Sequence, residues 1–371
     1  MIEIDTVLLK AASRCNLNCS YCYVYNMGDD GWTRMPKRMS EQTVERVASA
    51  LRTYAQAHSR PFAVVLHGGE PLLLGTVGLK RVLSALRMSL TTDYPISIQT
   101  NGILISEAIL DICSKYRTSL SISIDGPKQI NDQGRVDHRG NGCFDEVMTG
   151  IAVLRKHPDC QFLFAGALAV IDPLSDPTEV YNFLKELRAP SIDFLYRDGN
   201  HSNLPYGKAS FDSMEYGTWL CRLMDVYLAD SEPPRVRLLD DMIKLTLGAS
   251  GTKEGTGLTD FGILVIDSDG SITKNDTLKS SFNGADRFER VWSVHKHTLE
   301  EILASKEFAA YHNAQRPSSQ VCQTCPDLEI CGGGMTLHRW SDELGYDNPS
   351  VYCNDQRLVI NSIRRHLSVL Q

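Results

Sequence analysis

Three cysteines stand close together near the amino end of the chain, in Ser13-Arg14-Cys15-Asn16-Leu17-Asn18-Cys19-Ser20-Tyr21-Cys22. The spacing is C-x3-C-x2-C. Three thiolates this close can hold three corners of one four-iron, four-sulfur cube. No fourth Cys or His is near, so one iron would lack a protein ligand and could bind a substrate or cofactor. Structural zinc is the competing use of clustered thiols, but it favours ligand pairs and four donors. A disulfide framework fits poorly, because the cysteines number 11, the chain is long, and no signal peptide precedes them.

A second group reads Cys322-Gln323-Thr324-Cys325, then Cys331, then Cys353, or C-x2-C-x5-C-x21-C. Four thiolates can complete a cluster with no vacant corner or bind tetrahedral zinc, and the spacing alone leaves both open. Asp276 lies between the two groups in the chain. A carboxylate facing a buried cavity would have its pKa raised towards neutrality, whereas a turn aspartate would only make local backbone bonds. Cys113, Cys143, Cys160 and Cys221 are scattered and read as small buried hydrophobes. His338-Arg339-Trp340 could line a channel, or be a packed Trp flanked by solvated charges.

These groups need a scaffold. Up to about residue 196, β-branched runs alternate with helical stretches. The runs are Val7–Leu9, Ala63–Leu66, Ile96–Ile98, Leu120–Ile124, Phe162–Val170 and Ile192–Leu195. Helical segments such as 41–57, 77–89, 107–116 and 144–156 lie between them. Asp176-Pro177-Thr178-Glu179 reads as a helix start. Six strand–helix units imply a parallel sheet buried by helices, in α/β class, and too few strands for a closed eight-stranded barrel. A partial (β/α)6 TIM-like barrel over 1–209 is therefore expected, then a helical bridge over 210–257 broken at Pro233-Pro234. A smaller domain over 258–371 would open with a hairpin turning at Asp269-Gly270, and a capping box at Thr298 and Glu301 would start a helix.

Several polar strings fall where strands end. His67-Gly68-Gly69-Glu70-Pro71 follows the second, and its glycines would let backbone approach a ligand closely. Gln99-Thr100-Asn101-Gly102 ends the third and Ser121-Ile122-Ser123-Ile124-Asp125-Gly126 the fourth. Arg135 follows in Asn131-Asp132-Gln133-Gly134-Arg135. Carboxyl ends of strands are where α/β folds collect ligands. The 42% hydrophobic content is that of an ordinary globular protein, and the net charge of -7 argues against nucleic acid. No apolar run is long enough to span a membrane. A cytoplasmic, reducing setting is expected.

The cysteine trio, with Tyr21 before its third member, resembles the defining motif of the radical SAM enzymes. The resemblance implies a vacant iron that binds the amino and carboxylate groups of S-adenosylmethionine. Reductive cleavage would then give a 5′-deoxyadenosyl radical. It also implies cofactor contacts from Gly68, Gly69 and Glu70 (the family's GGE string, on the methionyl amine), Asn101, Ser123 and Asp125 (S-x-D-G, near the ribose or ordering the loop) and Arg135 (on the methionyl carboxylate). Cys322, Cys325, Cys331 and Cys353, followed by Gly332-Gly333-Gly334, resemble the SPASM extension of radical SAM peptide-modifying enzymes. That resemblance implies one auxiliary [4Fe-4S] cluster. A full SPASM module has further cysteines where this chain has Asn275 and Met335, so the first auxiliary cluster is expected to be missing.

The whole chain is most similar to the cyclophane-forming maturases of ribosomal peptides. Strings such as Cys22-Tyr23-Val24-Tyr25-Asn26, Thr277-Leu278-Lys279-Ser280 and Asn348-Pro349-Ser350-Val351-Tyr352-Cys353 carry that likeness. It implies abstraction of a β-hydrogen, an oxidative C–C crosslink to an aromatic ring, and Asp276 as proton acceptor. Thioether (sactipeptide-type) crosslinking and formylglycine formation in sulfatases are the alternatives. The implied partners are a precursor peptide with a leader and an electron donor such as flavodoxin or ferredoxin. Because the first strand begins so early, the leader is expected to need another surface or a separate leader-binding protein.

Overall fold

The computed structural model describes residues 2–369, and the chain divides into two compact units. Unit 1 comprises Met1–Ser123, Asp132–Gly166 and Phe261–His312; unit 2 comprises Ile124–Asn131, Ala167–Asp260 and Asn313–Gln371.

Unit 1 is built on strands β1 (Thr6–Ala12), β2 (Ala63–Gly68), β3 (Ile96–Thr100) and β4 (Thr118–Ser123), adjacent in that order and parallel. A helix follows each. In Glu41–Ala57, Val44, Val47, Ala48 and Leu51 recur at i, i+3, i+4 and i+7 and are all buried, the stripe that packs a helix on a sheet. Ser40 starts it, its hydroxyl accepting from the Thr43 N–H at 3.1 Å. On β3 and β4, Ile96, Ile98, Leu120 and Ile122 are buried, while Ser97, Gln99, Ser121 and Ser123 alternate with them on the less buried face. The expected α/β class with a parallel sheet is what the chain forms.

The hairpin expected to open a separate C-terminal domain lies elsewhere. β8 (Ile263–Ile266) and β9 (Ser271–Thr273) pair antiparallel across Asp269-Gly270, and Gly270 sits at φ +83° as such a turn needs. But β8 also pairs parallel with β1, Leu9 opposite Ile266, and β10 (Trp292–Ser293) extends that edge. Residues 261–312 therefore belong to unit 1, and 258–371 is not one body. The reason is the fully apolar run Ile263-Leu264-Val265-Ile266, all buried, which needs neighbours on both faces. The Thr298–Glu301 capping box is present as expected.

Unit 2 holds most of β5 (Phe164–Val170), then β6 (Ser191–Leu195) and β7 (Arg235–Val236), again parallel. Helices Glu215–Ala229 and Arg237–Thr246 flank the expected break at Pro233-Pro234. The last helix, Cys353–Val369, lies against Glu215–Ala229 at Gly217, whose N–H donates to Asp355 Oδ1 at 2.7 Å.

Candidate active site and its cysteine groups

The trio occupies the loop leaving β1. Its Asn18–Ser20 segment is laced to the Arg135 segment by Asn18 N–H to Val136 O and Ser20 N–H to Gly134 O, both 2.8 Å. Arg135 is 5% exposed, so the reading of it as a solvated surface charge fails. Its guanidinium donates to the Tyr21 hydroxyl at 3.0 Å, and the Tyr21 ring lies where a Cβ on Gly134 would stand.

The Gly68-Gly69-Glu70 string does something the sequence did not show. A Cβ on Gly68 would strike the Ala12 carbonyl, and one on Gly69 would strike the Arg14 carbonyl and the Tyr25 hydroxyl. Gly69 N–H donates to Ala12 O and Glu70 N–H to Arg14 O, each at 2.9 Å. The expected close approach to a ligand is, in the chain itself, an approach to its own cysteine loop. Glu70 is buried and accepts three bonds: Leu72 N–H at 2.9 Å, Thr100 Oγ1 at 2.8 Å and Asn101 N–H at 2.8 Å. Its carboxylate thus fastens the end of β2 to that of β3. Burial raises its pKa, while these donors and Arg135 pull it back.

Asn101 then reaches the cysteine loop. Its Nδ2 donates to Asn16 Oδ1 at 2.8 Å and lies 3.8 Å from Cys15 Sγ. The Cys15 thiol is pushed up to about 12 by burial and by Glu70, with Cys19 and Cys22 adding to it. Among the described residues, no three His, Cys, Asp or Glu side chains are drawn in tightly enough to hold a single metal ion as they stand. The donor set fits a cube instead. It offers three electrostatically coupled thiols and an amide beside one of them, and the iron would supply the positive charge that thiolates here lack.

Ser123 ends β4, its hydroxyl accepting from Gln99 Nε2 at 2.8 Å. Asp125 belongs to unit 2, where its Oδ1 accepts from Val170 N–H at 3.0 Å, a bond that orders the loop.

Asp276 is 2% exposed and begins the short helix Asp276–Ser280, which Asn275 caps. Lys10 Nζ lies 3.0 Å from its Oδ2 and 3.1 Å from its Oδ1. The expected upward pKa shift is not found. Burial pushes in that direction, but Lys10 and Lys279 outweigh it and the pKa is lowered. Asp276 is held ionised, and its partners rule out the local turn role. Lys10 was missed in the sequence; a lysine inside the apolar run Val7–Ala12 was its signal.

In unit 2, Cys322 lies in the short helix Gln320–Gln323, Cys331 ends Leu328–Cys331, and Cys353 begins the last helix. Burial raises Cys331 to about 12 and Cys353 to about 11, and in each case the neighbouring thiols of the quartet contribute. The four thiols therefore lie within electrostatic reach of one another. Gly332, Gly333 and Gly334 all have φ between +66° and +80°, and a Cβ on Gly332 would strike the Gly257 carbonyl. Buried Lys208 bonds Asp355 at 2.6 Å, fixing the start of the Cys353 helix. His338 and Arg339 are buried, at 2% and 1%, so the solvated-charge reading fails there; Arg339 donates to the Ala314 and Gln315 carbonyls at 2.9 Å. Asn275 is used as a cap, and Met335 packs against Gly255. Cys113 and Cys143 are buried as expected, whereas Cys160 and Cys221 are only half-buried.

Residues 9–165 match the model of the Radical SAM superfamily. A serine-type anaerobic sulfatase-maturating enzyme of Klebsiella aerogenes is 32% identical over 339 residues, 87% of this chain and 77% of the relative. Native anSMEcpe with bound AdoMet and Cp18Cys peptide superposes with TM-score 0.81 at 22% identity, covering 99% of both chains. Streptococcus suis SuiB bound to precursor peptide SuiA gives TM-score 0.65 at 13% identity, over 95% of this chain and 76% of that one. Among the described residues, no helix is long and apolar enough to cross a membrane.

Proposed function

The chain belongs to the radical SAM superfamily, whose enzymes work with a [4Fe-4S] cluster and S-adenosylmethionine, and from that premise we propose a maturase of a ribosomally made precursor peptide. It removes a β-hydrogen from one residue and forms an oxidative C–C crosslink to a nearby aromatic side chain. Cys15, Cys19 and Cys22 would hold the cofactor's cluster, with Tyr21, Gly68, Gly69, Glu70, Asn101, Ser123, Asp125 and Arg135 as the binding frame. Bound there, S-adenosylmethionine supplies a 5′-deoxyadenosyl radical able to take a hydrogen atom. Cys322, Cys325, Cys331 and Cys353 would hold one auxiliary cluster, which supplies an electron acceptor. A ring that has gained a carbon substituent must lose a proton, and Asp276 takes it. The observation that carries this reading is the buried carboxylate of Asp276, kept ionised by Lys10 in the same unit as the trio. A peptide as substrate is supported by the peptides bound in anSMEcpe and SuiB. The reducing electron comes from a flavodoxin or ferredoxin, and a separate protein or another surface holds the leader.

Formylglycine formation in a sulfatase is the second reading, favoured by the activity named for the Klebsiella relative. The two share hydrogen abstraction and a proton acceptor and differ in product. The test is anaerobic reaction of the reconstituted enzyme with the peptide encoded in the adjacent reading frame, followed by fragmentation mass spectrometry. A crosslink removes two hydrogens, blocks fragmentation between the joined residues, leaves every thiol free and gives no hydrazide adduct. An aldehyde that takes a hydrazide assigns formylglycine, and a lost thiol with its sulfur retained and no hydrazide adduct assigns a thioether.

A further inference from the structure

Behind Asp276 lies a buried charge network that the proposed chemistry has so far not used. Its cations are Lys10 on β1 and Lys279; its carboxylates are Asp29, Asp267, Asp276 and Asp286, all at most 4% exposed. Lys10 Nζ touches both oxygens of Asp276 and lies 3.3 Å from Asp267 Oδ2. Lys279 pairs with Asp286 and lies 3.4 Å from Asp29. The half-exposed Arg287 approaches Asp29 at 3.7 Å. His67 on β2 also faces the pair; burial lowers its pKa, so it stays neutral. Among the buried members, two lysines face four carboxylates, while Arg287 divides itself between Asp29 and the exposed Asp30 and Lys274 feels Asp286 from the rim.

We propose that Lys10 is the positioning residue of this enzyme: its ammonium fixes the plane of the Asp276 carboxylate and holds it deprotonated until the substrate's proton arrives. This rests on the reading of Asp276 as proton acceptor. The geometry supports it, since one ammonium grips both carboxylate oxygens at 3.0 and 3.1 Å and so fixes orientation as well as charge. The surrounding count supports it too. A proton arriving at Asp276 meets a buried excess of carboxylates and so does not leave a buried excess of positive charge, which a low-dielectric interior would penalise.

The test compares Lys10→Gln, Lys10→Arg, the double variant Lys10→Gln/Asp267→Asn and Asp276→Asn in the reconstituted enzyme with its peptide. The readouts are crosslinked product per 5′-deoxyadenosine against pH, and the protonated-carboxyl infrared band of Asp276 against pH in metal-free protein. The double variant removes one charge of each sign, so it remains informative if Lys10→Gln alone fails to fold. In both Lys10→Gln backgrounds the acid limb of product yield and the carboxyl band should move up by about one pH unit or more, as loss of a paired cation demands. Lys10→Arg should keep both near the wild-type position, and 5′-deoxyadenosine formation should persist throughout. An unmoved acid limb and band in the double variant, while Asp276→Asn abolishes product, overturns the role of Lys10 alone. Full product from Asp276→Asn overturns the proton-acceptor reading, and this inference with it.

Discussion

The two cysteine groups are held by opposite means. The trio in unit 1 sits in an irregular loop, pinned by side chains and close backbone crossings: Asn101 on Asn16, Arg135 on Tyr21, and the Gly68-Gly69 backbone on Ala12 and Arg14. In unit 2, Cys322, Cys331 and Cys353 sit on helices and Cys325 in the turn between two of them, with backbone geometry set by three successive left-handed glycines. Buried groups of both signs surround the trio, Glu70 and Arg135 among them. In unit 2, buried Arg339 donates to the Ala314 and Gln315 carbonyls and the Thr336 hydroxyl, and buried Lys208 to Asp355. A group that must exchange its fourth ligand is framed by polar side chains that can meet a ligand. A closed group needs only a rigid cage.

The most drastic way to break this contrast is to delete one thiol from each group. Cys15→Ala should abolish 5′-deoxyadenosine formation, whereas Cys353→Ala should keep cofactor cleavage and lose crosslinked product, both followed by chromatography. Wild-type protein should hold about eight irons per chain, and either variant about four. Twelve would mean that a second auxiliary cluster forms despite Asn275 and Met335.

Next in size is Gly332→Ala. The φ of +66° and the collision with Gly257 should cost unit 2 about 1–3 kcal/mol and strip its cluster while cofactor cleavage survives. Iron counting beside a 5′-deoxyadenosine assay checks this. If cleavage fails as well, the two groups do not tolerate damage independently.

Smaller is Glu70→Gln, which keeps the shape but replaces a carboxylate that accepts three bonds. Charged acceptors are worth roughly 1.5–3 kcal/mol per bond against about 1 for neutral ones, so over three bonds unit 1 should lose about 1.5 kcal/mol or more. Binding of S-adenosylmethionine should weaken, by equilibrium dialysis, without loss of iron.

The smallest effect is in pH. The Asp276 pKa is lowered, so its contribution to stability is complete above the ordinary 3.8 and lost as pH falls through the lower folded value. The Lys10 pKa is raised, since Asp276 and Asp267 outweigh its burial, so its contribution is complete below 10.5 and lost only as pH rises through the higher folded value. In wild type this pair should therefore add no slope to the melting temperature between about pH 5 and about pH 9. A slope inside that window would mean the pair titrates there.

The trio, the quartet and the strand–helix alternation were legible because their signals are local: cysteine spacing, apolar periodicity and caps. The two glycines of Gly68-Gly69 were half legible. Their need for closeness showed, but the partner, the chain's own Ala12–Arg14, did not. Lys10 was not legible at all as a partner of Asp276, which lies 266 residues away and leaves no local trace. The hairpin at Asp269-Gly270 could be read from its turn, but its parallel pairing with β1 could not, because no turn encodes it. The upward shift expected for Asp276 failed for the same reason: burial can be guessed from sequence, and the identity of a buried cation cannot.

That parallel pairing has a consequence during synthesis. β1 leaves the ribosome well before β8, which covers one of its sides and emerges only after residue 263. Until then, Thr6–Leu9 carries a row of unmet amide and carbonyl groups on an apolar strand, an invitation to pair with another nascent chain. Chains stalled before Phe261 should be found bound to chaperones or in aggregates.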